Sequence, residues 1–556
     1  MRGLRVRTTL LVGGLVAAVF AAGAGNAFAT PLEPKVKDAV AYAKSKPLRD
    51  LPKLDPLRKF STDPGERGEG PGGDNGHKSD GALQTAAVTA AMTAPLFTFE
   101  GPSNQDNFNT FGFRVNPPDP VGDVGQTQYV AMVNLVYSVY SKTGELLGGP
   151  FDTGTLWQDF PIEDCTDPSG DPIVFFDEIA NRWVLTQFTT RFETNQFYIC
   201  LAVSATEDAL GEYHLYAFST GDAFPDYPKY GLWRDAYVVT TREFPAAGGE
   251  QIGIYALRRA QLLEGGPQRM VQFTLTGPPN LVGDGLLPAD IDGRRLPPPA
   301  SPVPIVGSQD DGAFDGATFD ALNVFHLNVN WAKPDESTFM LDKQVPIAPY
   351  DTIYPCAPTS RDCLAQPGIV NPAQYLDILS YRQRPIHRLQ YRNFGTHESL
   401  VTNQSVEARP NVAGTRWWEL RNPDDAVLYQ EGTWAPDDVH RWMGSAAMDR
   451  DGNLALGYSV VNATDVFPGI RYAGRLAGDP LGQLTQGETV LQEGSGVQRT
   501  TNSRWGDYTS LNVDPNDDCT FYYINEYYTL AGQLSSTAGW QTRIGAFRFP
   551  SCKSGT

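Results

Sequence analysis

Apolar and aromatic residues alternate with polar ones over short runs along most of this chain, and acidic turn residues break the runs at intervals. A period of two is what a strand with one buried face requires, because successive side chains point to opposite faces. The runs form one repeated device, in which a short strand leads into an acidic turn and an aromatic-rich strand returns from it. Its clearest copies are GDVGQTQYVAMVN around Asp123, DPIVFFDEIANRWVLTQF around Asp177, KYGLWRDAYVVTT around Asp235, SAAMDRDGNLALGYS around Asp449 and SLNVDPNDDCTFYYINEYY around Asp514. Weaker copies fit VPIVGSQDDG with DALNVFHLNVNW around Asp311, and YLDILSYRQRPIHRLQY around His387. Their spacing is somewhat wider than the roughly 40–50 residues of a compact repeat. The pattern predicts an all-β chain folded as a seven-bladed β-propeller, with six or eight blades as the neighbouring solutions.

A closed ring must leave no sheet edge open to pairing. LFTFEG at 96–101 and QTRIGAFRF at 541–549 both alternate, and they are expected to share the last blade. Apolar residues at helical spacing occur after residue 94 only around 256–263. Two irregular insertions are expected on one rim: 281–302, whose prolines exclude central strands, and 347–368.

The N-terminus departs from the pattern. Residues 1–7 hold three arginines and no acid, 8–25 are almost wholly apolar or small, and Ala27-Phe28-Ala29 has the form of a signal-peptidase site. A signal peptide over 1–29 follows, and with it a secreted, extracellular chain. No later run approaches the roughly 20 apolar residues of a membrane helix. Residues 30–94 read as a leader or linker, largely disordered, with one short helix within 35–59 and a segment at 62–80 rich in Gly, Pro and charge. The propeller is expected over 95–552.

Composition narrows the partners. Sixty-four acids against 44 basic residues give a formal charge of −20, which repels phosphate backbones and anionic lipid. No nucleic acid and no membrane partner is expected, and the chain is read as a monomer. Six cysteines in an exported chain suggest three disulfides, and closeness in sequence pairs Cys165 with Cys200, Cys356 with Cys363 and Cys519 with Cys552. A zinc site lacks the Cys-x-x-Cys spacing that it needs.

HRWMGSAAMDRDGNLALGYS, IRYAGRLAGDPLG and SRWGDYTSLNVDPNDDCTFYYINEYY, with DPVGDVGQTQYVAMVNLVYSVY and GDPIVFFDEIANRWVLTQF upstream, resemble a group of large secreted bacterial β-propeller proteins, loosely sialidase-like, most without assigned chemistry. The resemblance spans nearly all of 94–552 and implies the fold. Sialidases carry Ser-x-Asp-x-Gly-x-Thr-Trp turns and an Arg-Ile-Pro, whereas this chain has MDRDGNLAL at 448–456 as its nearest approach. The departure argues against sialic acid chemistry.

Candidate chemistry gathers at strand ends. Arg441-Trp442 and Arg504-Trp505 precede comparable strands, where an arginine grips an acidic group bidentately and a tryptophan offers a flat face to a sugar. The competing reading packs these tryptophans between blades and pairs the arginines with nearby acids. Asp507 and Glu526 form the candidate catalytic carboxyl pair, with Tyr527 activated by Glu526 as the alternative nucleophile, a pairing used in sialidases. Asp171, Asp177, Asp226 and Lys229 lie at the starts or first turns of two units, where Asp171-Pro172 and Asp226-Tyr227-Pro228 read either as matching strand starts that point both carboxylates towards the channel mouth to bind substrate or as plain structural turns. His440 is the one histidine placed to act as a base. Residues 449–453 have the oxygen-rich look of a calcium loop, yet a plain Asp-Gly hairpin accounts for them. No metal ligand set and no cofactor is expected, a structural calcium being the one ion such acidic turns would suit.

These features favour an extracellular glycan-recognising propeller with hydrolysis by a carboxylate pair at the channel mouth. The alternatives are a non-catalytic binding or adhesion module and, third, a polysaccharide lyase using His440 or a tyrosine. No Gly-x-Ser-x-Gly, His-Glu-x-x-His, Walker loop or dinucleotide fingerprint is present.

Overall fold

The computed structural model describes residues 32–52, 78–88, 90–191, 194–276, 283–313, 317–352, 362–378 and 384–553. The expected signal peptide and Cys356 lie outside the described residues.

The chain is all-β with a propeller-like arrangement of sheets. Among the described residues there are three four-stranded sheets, two five-stranded sheets, one eight-stranded sheet and a two-stranded pair; the successive antiparallel units, numbered in chain order, begin at Val121–Val124, Val174–Asp177, Ala223–Leu232, Leu287–Asp292, Ile386–Asn393, His440–Met448 and Ser510–Val513. The seventh unit borrows its outer strand from the N-terminal side, where Phe97–Glu100 pairs antiparallel with Trp540–Phe547 from Phe97↔Ala546 to Glu100↔Arg543. Both faces of each sheet are covered, so the inner strands are buried throughout, and Ala223–Leu232 and Phe521–Tyr528 are buried at every position.

The first strands are tied to one another in a closed cycle. Phe176 N donates to Asp123 Oδ2 at 2.7 Å, joining the second unit to the first. Arg259 of the third unit grips Asp177 of the second, and Leu232 N donates to Asp290 Oδ1 at 2.9 Å, which joins the third unit to the fourth. The fourth and fifth units pair directly, in parallel, from Ala289↔Leu389 to Asp292↔Arg392. Met448 N donates to Gln390 Oε1 at 2.6 Å, Leu511 N to Ser445 Oγ at 3.0 Å, and Gly122 N to Ser510 Oγ at 2.8 Å, closing the cycle. Short side-chain acceptors thereby satisfy the inner edge of each sheet, the edge that faces the axis.

The structure corrects three expectations. Residues 281–302 contain the fully usable inner strand Leu287–Asp292: Pro288 sits where the strand changes neighbours, pairing with Ile305 on one side before Ala289 takes up the parallel partner, so its missing N–H breaks no ladder. The weaker repeats were displaced for the same reason. Asp311 follows the second strand of its unit, Val303–Gln309, and His387 lies within an inner strand. The helix expected within 35–59 is instead two edge strands. Lys35–Asp38 pairs with Arg269–Leu275, and Ala41–Lys44 with Tyr213–Gly221. An isolated short helix is marginal in water, whereas these sheet edges offer a row of unpaired partners. Farther on, Asp80 is buried against Arg416, with Oδ1 2.8 Å from Nη1, and accepts from Thr433 Oγ1 at 2.7 Å.

Cys165 bonds Cys200 on the third strand of the second unit, and Cys519 bonds Cys552, clipping the chain end to the seventh unit. The Cys519–Cys552 loop spans 33 residues, for which loss of the crosslink costs about 3–4 kcal/mol. We expect Cys519→Ser with Cys552→Ser to lower unfolding stability by that amount and to raise amide exchange in Phe97–Glu100 and Trp540–Phe547. Equilibrium denaturation with hydrogen exchange checks it, and a change below about 1 kcal/mol would show that strand pairing alone holds the seam.

Candidate functional site

At one end of the ring, the residues that start several inner strands converge on the axis. Asp119, Asp171 and Tyr227 each precede a proline and take left-handed backbone, with φ of 46°, 48° and 49°. Aspartate tolerates this region and tyrosine seldom enters it, so local strain is built into the third strand start. The starts are locked together. Asp119 Oδ1 accepts from Asp507 N at 2.7 Å and Oδ2 from Asn134 Nδ2 at 2.7 Å, while Asn134 Oδ1 accepts from Asp171 N at 3.0 Å. Tyr508 donates its hydroxyl to Pro172 O at 3.0 Å, and Asp226 Oδ1 accepts from Tyr227 N at 2.9 Å.

Three cations enter this carboxyl-rich nest, and each has acidic or aromatic company. Arg504 Nη2 lies 2.5 Å from Asp507 Oδ1, and its Nε 3.7 Å from Asp377 Oδ2. Arg384 Nη2 lies 3.6 Å from Asp507 Oδ2, with its guanidinium 3.6 Å above the Tyr227 ring. Lys229 Nζ sits 3.4 Å from the centre of the Tyr227 ring and 4.0 Å from that of Tyr508. Such cation–π contacts replace part of the hydration that burial removes.

Burial decides the charge states. The Asp171 carboxyl is pushed well above the usual range, first by burial and then by Asp119, Asp226 and Asp507. Asp119 is raised by burial in spite of Arg504. The Lys229 ammonium is lowered to about 7, burial outweighing the carboxylate of Asp171. His387, its ring 6.4 Å from that of Tyr508, is held well below its usual value by burial, Lys229 and Arg388. Asp171 Oδ2 and His387 Nδ1 are buried with no hydrogen-bond partner among the described residues. Asp171, its carboxyl raised by burial, thus shares the nest with Asp507, which is set between the guanidinium groups of Arg504 and Arg384, and two carboxyls in such different surroundings are the arrangement that acid and base work requires.

The structure brings Asp171, Asp226, Arg504 and Asp507 into this nest. Glu526 stands behind it: its Oε1 accepts from Gly506 N at 2.7 Å, the residue is fully buried, and burial raises its carboxyl well above the usual range. Tyr527 is not beside Glu526's carboxyl. Neighbours on a strand face opposite sides, and the Tyr527 hydroxyl is 3.0 Å from both Glu100 carboxylate oxygens on the outer strand.

Arg441 grips Glu488 at 2.7 Å and Asp437 at 2.7 Å inside the sixth unit, so it offers no anion grip. Trp442 and Trp505 are fully buried with ring centres 5.3 Å apart, and Trp505 Nε1 donates to Ser459 Oγ at 3.1 Å. Neither indole offers a face to a sugar, because both fill the space between the sixth and seventh units. His440 Nδ1 accepts from Ala413 N at 3.3 Å on the fifth unit, away from the nest.

The hairpin at 449–453 uses its carboxylate internally, Asp449 Oδ1 accepting from Asp451 N at 2.9 Å and Asn453 N at 3.0 Å. The oxygens of Asp310, Asp311 and Asp320 do lie within 4.8 Å of one another, and the Lys78 ammonium supplies positive charge there, 2.9 Å from Asp320 Oδ2. Asp119, Arg384, His387 and Tyr508 are members of the nest that the motif search did not single out. Asp119-Pro120 repeats the Asp171-Pro172 signal, while Arg384 and His387 follow an insertion that hides their register.

No protein-family model matches the chain, and no curated protein matches it. Among solved structures it is similar to an α-L-arabinanase of Penicillium chrysogenum complexed with arabinobiose, at 9% identity over 83% of this chain and 98% of that one, with a TM-score of 0.32. It is also similar to a PL25 ulvan lyase, at 10% identity over 85% and 95% with a TM-score of 0.37, and to an exo-1,5-α-L-arabinanase from a bovine ruminal metagenomic library, at 10% over 58% and 100% with 0.26. These likenesses concern architecture alone, and the site stands on its own geometry.

His440 makes a separate acid-sensitive point. Burial and Arg441 lower it to about 4, so the unfolded chain takes up a proton near its ordinary value, about 6.5, that the folded chain refuses. Stability from this group is fully present above about 6.5 and is lost as pH falls toward 4, on the order of 2 kcal/mol. Thermal melts from pH 7 to 4 should show a smaller acid loss in His440→Asn than in the parent, and equal losses would contradict the assignment.

Proposed function

We propose that this chain is a secreted, seven-bladed β-propeller that recognises glycans at the nest of Asp119, Asp171, Asp226, Lys229 and Asp507, and that it hydrolyses a glycosidic bond there. The observation that carries the reading is the buried Asp171 Oδ2, which has no hydrogen-bond partner among the described residues, on a carboxyl that burial and its neighbours Asp119, Asp226 and Asp507 raise well above the usual range. Asp171 gives its proton to the leaving oxygen, and Asp507, gripped by Arg504 and Arg384, acts as base or nucleophile. Glu526 keeps the Gly506–Asp507 turn in place from behind. The reading includes cleavage after Ala29, a leader over 30–94, a propeller over 95–552 and a monomeric, extracellular chain.

Burial favours a second reading. Asp171 and Asp507 are each only 5% exposed, and Asp226 8%, which suits a non-catalytic binding module as well as a closed catalytic nest. Turnover separates the two. Screening the purified protein on a polysaccharide panel with reducing-end detection should find a substrate whose kcat falls at least about 100-fold in Asp171→Asn and in Asp507→Asn, the first with little change in melting temperature and the second with a lower one because Arg504 and Arg384 lose their carboxylate, both variants remaining folded at the assay temperature. Because Asp171 must carry its proton, activity should decline on the alkaline side of the profile. Binding without any turnover would leave the adhesion module, and loss of activity only through unfolding would remove these two residues from the chemistry.

A further inference from the structure

Every guanidinium that the sequence offers for gripping an acidic sugar is already engaged. Arg441 holds Asp437 and Glu488, and Arg504 reaches Asp507 and Asp377. Arg384 faces Asp507 and lies on the Tyr227 ring, and Lys229 is enclosed by Tyr227 and Tyr508. Around these three nest cations stand Asp119, Asp171, Asp226, Asp377 and Asp507, so acids outnumber cations in one buried place. Burial raises the carboxyls of Asp119 and Asp171 there, and the neighbouring acids raise Asp171 further.

A nest whose cations are already matched by an excess of its own acids will not admit another anion. A uronate or sulfate would have to displace Asp507 or Asp377 from a guanidinium, leaving a buried carboxylate without its counter-charge, a change that costs several kcal/mol. Hydroxyl groups meet the opposite conditions. Carboxylate oxygens accept from them with charge assistance, and the unpartnered Asp171 Oδ2 and His387 Nδ1, both more than nine-tenths buried, are polar atoms in want of such partners. Beyond the nest the chain carries a formal charge of −20, which opposes polyanions at a distance as well.

We infer that the ligand of this nest is an uncharged glycan, recognised through its hydroxyl groups, and that acidic glycans are excluded. The inference rests on the glycan reading above. It also disfavours lyase chemistry, which needs a cation to neutralise a uronate carboxylate while the neighbouring carbon loses its proton, since the nest holds no cation without acidic or aromatic partners.

Affinity electrophoresis of the whole secreted protein tests it, in gels containing neutral polymers (arabinan, galactan, xyloglucan) or acidic ones (polygalacturonate, alginate, chondroitin sulfate) at 150 mM salt. The expected result is retardation by at least one neutral polymer and by none of the acidic ones, reduced roughly tenfold or more in Asp171→Asn and Asp507→Asn, with far-UV circular dichroism and melting temperature reporting that each variant folds. Should a variant fail to fold, His387→Gln provides the second arm. Retardation by an acidic polymer that depends on these residues overturns the inference and leaves the glycan reading standing. Retardation by no polymer, or retardation indifferent to all three variants, overturns both.

Discussion

The structure depends on how its sheets can meet without leaving buried charge unanswered, and Arg388 is the side chain on which the answer turns. It projects from the inner strand of the fifth unit. Its Nη1 lies 2.7 Å from Asp290 and 2.8 Å from Asp292, its Nη2 2.5 Å from Asp292, and its Nε 3.4 Å from Leu511 O on the seventh unit. Asp290 also accepts from Leu232 N on the third unit, and Asp123, pushed up to about 8 by burial against the pull of Arg388, accepts from Phe176 N on the second. One guanidinium therefore stabilises carboxylates that in turn satisfy backbone donors on neighbouring sheets. Removing one partner of a buried pair typically costs about 3–5 kcal/mol because the other charge is stranded, even where the intact pair adds little. The arrangement serves ring geometry more than it serves stability.

The candidate site follows from the same constraint. His387 immediately precedes Arg388 on its strand, and its imidazole feels both Lys229 and Arg388. The nest and the charge cluster around Arg388 thus share one field, with Asp119 just before the short strand Val121–Val124 and Asp123 within it. Where the cluster around Arg388 pairs its carboxylates with arginine closely enough that Asp292 is held below its usual range, the nest keeps carboxyls in excess and burial raises that of Asp171.

Alternation made the edges of this fold legible. The apolar pattern at 96–101 and 541–549 is the pairing of Phe97–Glu100 with Trp540–Phe547, and the acidic turns near Asp177, Asp235, Asp449 and Asp514 do separate first and second strands. The fourth and fifth units depart from the expected register because LPADID keeps only two antiparallel pairs before it takes up a parallel partner, and the hairpin that IHRLQYRN opens turns at 394–397, which holds no acidic residue. The leader was opaque for another reason: AYAK gains its strand from a neighbour's edge, which no local pattern encodes. Arg-Trp pairs looked alike in sequence, yet neither Arg441 nor Trp442 reaches the nest, while Arg504 does and Trp505 does not. Period-two alternation predicts opposite faces for each pair, and only the fold decides which face meets the axis.

The two kinds of buried group also set opposing demands on pH. A carboxyl whose folded value is raised, as in Asp119, Asp171 and Glu526, binds its proton more tightly in the folded chain, so its contribution to stability declines as pH climbs past the ordinary carboxylate range near 4. Lys229, lowered to about 7, works in the other direction, since the unfolded chain holds its proton up to about 10.5 and folding becomes more favourable as pH rises between those values. Their coupling softens both effects, because a charged Lys229 favours an ionised Asp171 and an ionised Asp171 favours a charged Lys229.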